Sequence, residues 1–229
     1  MADIDLSLEE IIKKNKIAKH NKMIKALKTT NDTKATVMKR LGKKHSMNIT
    51  RVALTGDSHM RNTDFCLQNR NTGPLDINFF GRGGEFLENW KKAEECGYCY
   101  YIQDLIAFRP DISVIWHGSN DLQKLLKNPN KVFHLVMWFW QYLEDQNITT
   151  YVLELPNRPK FGEKYKLMSR RVNKNLQQSL PRGRLIFLPE EAHDTSGYSK
   201  DGVHLNDARD AEKSVYNVVA DKILATLNQ

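Results

Sequence analysis

From residue 49 onward the chain alternates short apolar runs with longer stretches of mixed polarity. The runs fall at 51–55, 75–80, 112–116, 149–155 and 184–188, are rich in Val, Ile and aromatic residues, and are bounded by Gly, Pro, Asp or Asn. Continuous apolarity over so few residues is what a strand covered on both faces requires, so each run predicts a buried strand. Between and after them, 85–108, 121–146, 163–179 and 206–227 have the length and composition of helices. Strand and helix alternating in this way predict an α/β protein, a three-layer α/β/α sandwich around a five-stranded parallel sheet. In such a sheet the ligand site lies beyond the C-terminal ends of the strands.

The stretch before residue 49 follows a different pattern. Apolar side chains at Leu8, Ile11, Ile12, Ile17, Met23, Ile24 and Leu27 recur among lysines at a rough helical period, with Ser7 placed as an N-cap. Residues 29–48 lose aromatics and periodicity and read as a linker, which puts a domain boundary near Met47, between an arm (1–47) and a domain (48–229). Charge divides at the same place: the arm holds 12 Lys or Arg against 5 Asp or Glu, the remainder 23 against 22. A basic arm on a near-neutral domain suits RNA, DNA or another acidic surface, and equally suits a solvated tail.

No apolar run resembles a signal-peptide core or a membrane span of ~20 residues, so neither classical secretion nor a membrane span is expected. Three cysteines, Cys66, Cys96 and Cys99, make an odd number that argues against a disulfide framework and for a reducing, intracellular setting, cytoplasmic or nuclear. Cys96-Gly97-Tyr98-Cys99 has CxxC spacing but lacks a second ligand pair, and it reads as structural.

The loops that follow the predicted strands carry the chemistry. Gly56-Asp57-Ser58-His59 follows the first, Gly81-Arg82-Gly83-Gly84-Glu85 the second and His117-Gly118-Ser119-Asn120-Asp121 the third, while Asp201-Gly202-Val203-His204 precedes the last helix. A serine needs a base within hydrogen-bond reach, itself held in one tautomer by a third group; His204 and Asp201 suit those roles toward Ser58. An oxyanion needs preorganised donors, and the backbone N–H groups of Ser58 and Gly84 with the Asn120 side-chain amide form a candidate set. His59 and His117 either line the pocket and bind substrate or pack and hydrogen-bond to backbone, and the second is the plainer expectation. Arg82 either meets an anionic substrate or is solvated. Trp138, Phe139 and Trp140 sit in mid-helix and read as core.

Gly-Asp-Ser, a glycine-bearing second loop, Gly-x-Asn-Asp and Asp-x-x-His in this order resemble the four blocks of the SGNH (GDSL-like) hydrolases, over about 49–229. The resemblance maps the family letters to Ser58, Gly84, Asn120 and His204. Gly84 is assigned because Asn78-Phe79-Phe80-Gly81-Arg82-Gly83-Gly84-Glu85 resembles a segment of the platelet-activating-factor acetylhydrolase branch, with Gly81 and Gly83 as alternatives. It implies a flavodoxin-like fold, no metal or other cofactor, and hydrolysis of esters or of acyl groups on small molecules, lipids or sugars. His59 departs from the family pattern, which commonly has leucine or a small residue there.

In the arm, Leu6-Ser7-Leu8-Glu9-Glu10-Ile11-Ile12-Lys13-Lys14-Asn15-Lys16 resembles the peptide by which Aly-type mRNA export adaptors bind the DEAD-box export helicase. That resemblance implies a helix offering Leu8, Ile11 and Ile12 to a helicase groove, with the following lysines toward RNA phosphates. An alternative to catalysis follows from it: a ribonucleoprotein component, like those encoded by the first open reading frame of some LINE-type retrotransposons, in which the esterase fold is a scaffold.

Overall fold

The computed structural model describes residues 49–206 and 214–228, all within one compact unit, Asn48–Gln229. The predicted arm, with Leu8, Ile11 and Ile12, lies outside the described residues.

Five strands, β1 (Thr50–Gly56), β2 (Leu75–Gly81), β3 (Ile112–Trp116), β4 (Thr149–Leu153) and β5 (Leu185–Ile186), form one sheet in the order β2-β1-β3-β4-β5. Every pairing is parallel. All five runs are strands, although the last contributes only two residues to the sheet and β2, at the sheet edge, is not buried as expected, its residues being half-buried or exposed. Period-two alternation sorts their side chains between two cores: Ala53, Ile115 and Val152 point to one face, while Val52, Leu54, Val114, Trp116 and Leu153 point to the other.

Helices cover both faces. On the second stand α1 (Ser58–Gln68) and, at the chain's end, α7 (Val215–Leu227), burying Met60, Leu67, Tyr216, Val219 and Ile223. On the first stand α2 (Leu87–Glu95), α3 (Tyr100–Phe108), α5 (Pro129–Asp145) and α6 (Gly162–Ser179), burying Trp90, Ile102, Leu105, Phe139, Leu143, Tyr165 and Val172. The short helix α4 (Ser119–Lys124) opens directly after β3. Phe139 is fully buried, and Trp138 and Trp140 pack on the same core from partly buried positions.

Three departures from the predicted helices have local causes. The expected helix at 85–108 is two, because Gly97 takes a left-handed φ of +71° and its N–H and that of Tyr98 turn back onto Glu94 and Ala93. The helix expected at 121–146 is also two: Pro129 cannot donate within a helix but suits a first turn, and the Asn128 side chain caps that turn by accepting from the Lys131 N–H. Helix α1, by contrast, was not foreseen; its sequence Ser58-His59-Met60-Arg61-Asn62-Thr63-Asp64 is too polar to show a clear apolar stripe.

The C-terminal edge of the sheet is drawn together where β1 and β2 end. Gly56 and Gly81 are register partners, and a Cβ on Gly81 would stand 2.1 Å from the Gly56 carbonyl oxygen. A Cβ on Gly56 would stand 2.7 Å from the Trp116 carbonyl oxygen. Only bare backbone lets the three loops that follow β1, β2 and β3 converge this closely. Gly81→Ala is accordingly expected to lower stability by about 1–3 kcal/mol or more, as overpacking does. Urea unfolding of the two proteins tests this, and an unchanged midpoint would refute the steric argument.

Candidate active site

Ser58 is the first residue of α1, set at the mouth of the sheet by the turn from β1. The helix begins there because Asp57 is its N-cap, accepting the His59 N–H on Oδ1 at 2.9 Å. The Ser58 hydroxyl lies 3.1 Å from His204 Nε2, and His204 Nδ1 lies 2.6 Å from Asp201 Oδ2. A carboxylate can only accept, so Nδ1 carries the proton, which leaves the Nε2 lone pair facing the serine hydroxyl.

Asp201 is held from its own loop. Its Oδ1 accepts the N–H groups of Val203 and His204 at 2.8 and 2.9 Å and the Ser199 hydroxyl at 2.7 Å. Partial burial works against its charge, but the hydrogen bonds from His204, Ser199 and Val203 outweigh it and keep the carboxyl far below the ordinary carboxylate range. An antiparallel bridge between Tyr198 and Leu205, a Ser199 N–H to His204 carbonyl bond of 2.9 Å and a Lys160 N–H to Gly202 carbonyl bond of 3.1 Å fix the loop.

The second loop is a β-turn closed from the Glu85 N–H to the Arg82 carbonyl, with Gly84 at φ +80°, the left-handed value that glycine supplies at the third position of such a turn. Closing a β-turn does not use the two central N–H groups, here those of Gly83 and Gly84. Of the three glycines considered, Gly83 lies against the serine: a Cβ built on it would be 3.7 Å from Ser58 Cβ, while one on Gly84 would have no atom within 4 Å. Gly81 belongs to the sheet. Arg82 is exposed.

Asn120 stands one residue inside α4. Its Nδ2 donates to the Glu85 carbonyl at 2.9 Å and its Oδ1 accepts from Arg158 Nη1 at 2.8 Å. Asp121 beside it is buried and receives the N–H groups of Leu87 and Glu88, one on each oxygen and both at 2.9 Å, which caps α2 from outside its own sequence. The same motif thus places the amide at the site and pins the neighbouring loop.

Neither extra imidazole is open to solvent. His59 is buried with Nδ1 3.1 Å from the Tyr216 hydroxyl and its ring 5.2 Å from Trp116 and 5.8 Å from His204; burial first, then the charges of Arg158 and His204, push its pKa well below the usual value. His117 is buried between Trp90 and Phe139 at 4.5 and 6.1 Å, and burial lowers its pKa to about 3. Both act as neutral packing groups. Cys66 and Cys99 are buried and Cys96 is exposed.

Sequence reasoning missed Arg158 and Tyr216. Arg158 belongs to the loop after β4, and the rule that sites form beyond C-terminal strand ends would have flagged it. Tyr216 lies on α7, where nothing in the local sequence marks it. Among the described residues no cluster of three His, Cys, Asp or Glu side chains is placed to hold a metal, and no helix is long and apolar enough to cross a membrane.

The strand order and the helices on both faces define a three-layer α/β/α sandwich of flavodoxin-like order. No family model matches the chain, and no curated protein matches it in sequence. Solved structures do: an acetyl xylan esterase is 18% identical with a TM-score of 0.56, covering 76% of this chain and 98% of its own. A psychrotrophic esterase from Pseudoalteromonas sp., inhibited by monoethylphosphonate, is 16% identical with a TM-score of 0.57, covering 79% and 100%. An acetyl esterase holding an acetate ion is 15% identical with a TM-score of 0.58, covering 79% and 97%. At identities this low the structural overlap shows a shared fold and nothing finer.

Asp121→Asn replaces one of two accepting oxygens by a donor facing a backbone N–H. The expected cost is about 1–3 kcal/mol of stability, measurable by urea unfolding, and a change near zero would show that the cap contributes nothing.

Proposed function

We propose that the chain is a serine esterase that hydrolyses carboxylic esters of short acyl groups through an acyl-enzyme on Ser58. The observation that carries this reading is the continuous relay from Ser58 Oγ to His204 to Asp201, with spacings of 3.1 and 2.6 Å. A hydroxyl, an imidazole of defined tautomer and an ionised carboxylate in that order are the parts of nucleophilic acyl transfer.

In the proposed reaction Ser58 Oγ attacks the ester carbonyl while His204 Nε2 takes its proton. Asp201 does not itself gain a proton; its negative charge stabilises the imidazolium and keeps Nδ1–H in place. Negative charge on the carbonyl oxygen is met by three donors: the Ser58 N–H at the start of α1, an N–H of the Gly83–Gly84 turn, and the second N–H of Asn120 Nδ2. Proximity to Ser58 favours Gly83 over Gly84. The imidazolium then protonates the departing alcohol, and water repeats the sequence to release the acid.

The named activities of the acetyl xylan esterase and acetyl esterase with this fold support an acetyl or similarly short acyl group. The competing reading, a scaffold whose arm carries RNA or a DEAD-box helicase, does not need the relay.

Turnover of p-nitrophenyl acetate by the wild type, Ser58→Ala and Asp201→Asn separates the two. Loss of the nucleophile is expected to lower kcat by on the order of 10⁶-fold, and Asp201→Asn by on the order of 10⁴-fold, because an amide can hold the ring in the wrong tautomer. Equal rates for wild type and Ser58→Ala would overturn the esterase reading.

A further inference from the structure

Arg158 is the one fully buried arginine of the described core, and it reaches two loops of the site at once. Nη1 donates to Asn120 Oδ1 at 2.8 Å and Nη2 lies 3.4 Å from Asp57 Oδ2. Asp57 is the residue before Ser58 and caps the helix on which Ser58 stands. Burial raises the Asp57 pKa, and the Arg158 charge is the largest influence opposing that rise.

A guanidinium has no acceptor, so the end of the Asn120 amide that faces it must be the oxygen. That requirement sends Nδ2 to the opposite side, where one N–H meets the Glu85 carbonyl and the other is left for the site. The Glu85 carbonyl holds Nδ2 alone; without the guanidinium Oδ1 loses its donor and the amide can swing about that single bond, which takes its second N–H away from a developing oxyanion. A cation behind Oδ1 also polarises the amide and strengthens its N–H groups as donors. Stability alone is a weak reason for this arrangement. A buried ion pair seldom outperforms apolar packing, and Arg158 Nε finds no acceptor among the described residues.

We propose that Arg158 is the positioning residue of the oxyanion site: its two-pronged guanidinium fixes which way the Asn120 amide faces and ties that amide to the Asp57–Ser58 turn. The inference rests on Ser58 being the nucleophile. Arg158 touches no substrate and acts through Asn120 and Asp57. Lysine cannot replace it, because a single ammonium does not hold two acceptors in the fixed spacing of the fork.

The test compares Arg158→Lys, Asn120→Ala and their combination, with kcat for p-nitrophenyl acetate expressed per site titrated by a fluorophosphonate. Arg158→Lys is expected to lower kcat about 10²-fold, as loss of one oxyanion donor does, with KM changed less than about threefold. The double variant should fall well short of the product of the two single effects, the remainder being what Arg158 does through Asp57, and fully multiplying effects would overturn the proposal. Arg158→Met combined with Asp57→Asn removes both charges and serves if Arg158→Lys does not fold. A readout independent of turnover is the side-chain amide pair of Asn120 in ¹⁵N-labelled protein. The pair should shift or broaden in Arg158→Lys, or in the paired neutral variant, and an unmoved pair would overturn the proposal whether or not esters are cleaved. Failure of the esterase reading shows separately, as equal rates for wild type and Ser58→Ala.

Discussion

Asp57 and Arg158 are two ionisable groups closed off from water, and much of the site follows from keeping them together. A lone buried charge costs several kcal/mol, so the carboxylate at the end of β1 and the guanidinium beyond β4 constrain one another even though β3 lies between those strands. The carboxylate spends its other oxygen starting α1, which orients Ser58; the guanidinium spends its other nitrogen on Asn120. One electrostatic requirement therefore coordinates a strand end, a helix start and a loop from the far side of the sheet.

Steric absence does the complementary work. The register pair Gly56 and Gly81 lets backbones approach where any side chain would collide, so the second loop folds down beside the first. Asp121 then fastens the third loop to the start of α2, and the Glu85 carbonyl fastens Asn120 to the second. The three loops at the sheet mouth are held to each other as well as to the strands beneath them. Preorganisation of this kind is what lets fixed dipoles stabilise a developing charge without moving.

The central strands were legible because a parallel sheet covered on both faces writes itself as short apolar runs; the edge strand β2 kept Asp76 and Asn78 among its apolar residues. The cluster of Ser58, Asp201 and His204 was legible because the carboxylate and imidazole lie three residues apart and the serine follows the first strand. Helix α1 escaped notice because its buried face includes His59, Thr63 and Asp64, which do not look apolar. The helix breaks at Gly97 and Asn128–Pro129 were written in the sequence as punctuation, but the residues before each, 91–95 and 122–127, are helix formers that read on into the next helix. For Arg158 the sequence carried only its position after the fourth strand, not its role: its partners Asn120 and Asp57 are 38 and 101 residues away, and nothing local distinguishes a buried guanidinium from a solvated one. The Gly83 and Gly84 assignments turn on a backbone conformation that three neighbouring glycines leave undetermined.

His204 and Asp201 sit on a hairpin-like loop whose bonds are largely its own: Asp201 to Val203, His204 and Ser199, and Tyr198 to Leu205. Both side chains are partly exposed, and neither belongs to either hydrophobic core. The Ser58-facing pair and the architecture are therefore separable. A lineage that no longer needed the reaction could surrender it through one substitution in that loop while keeping the sandwich intact, and the surviving shape would be free for other uses.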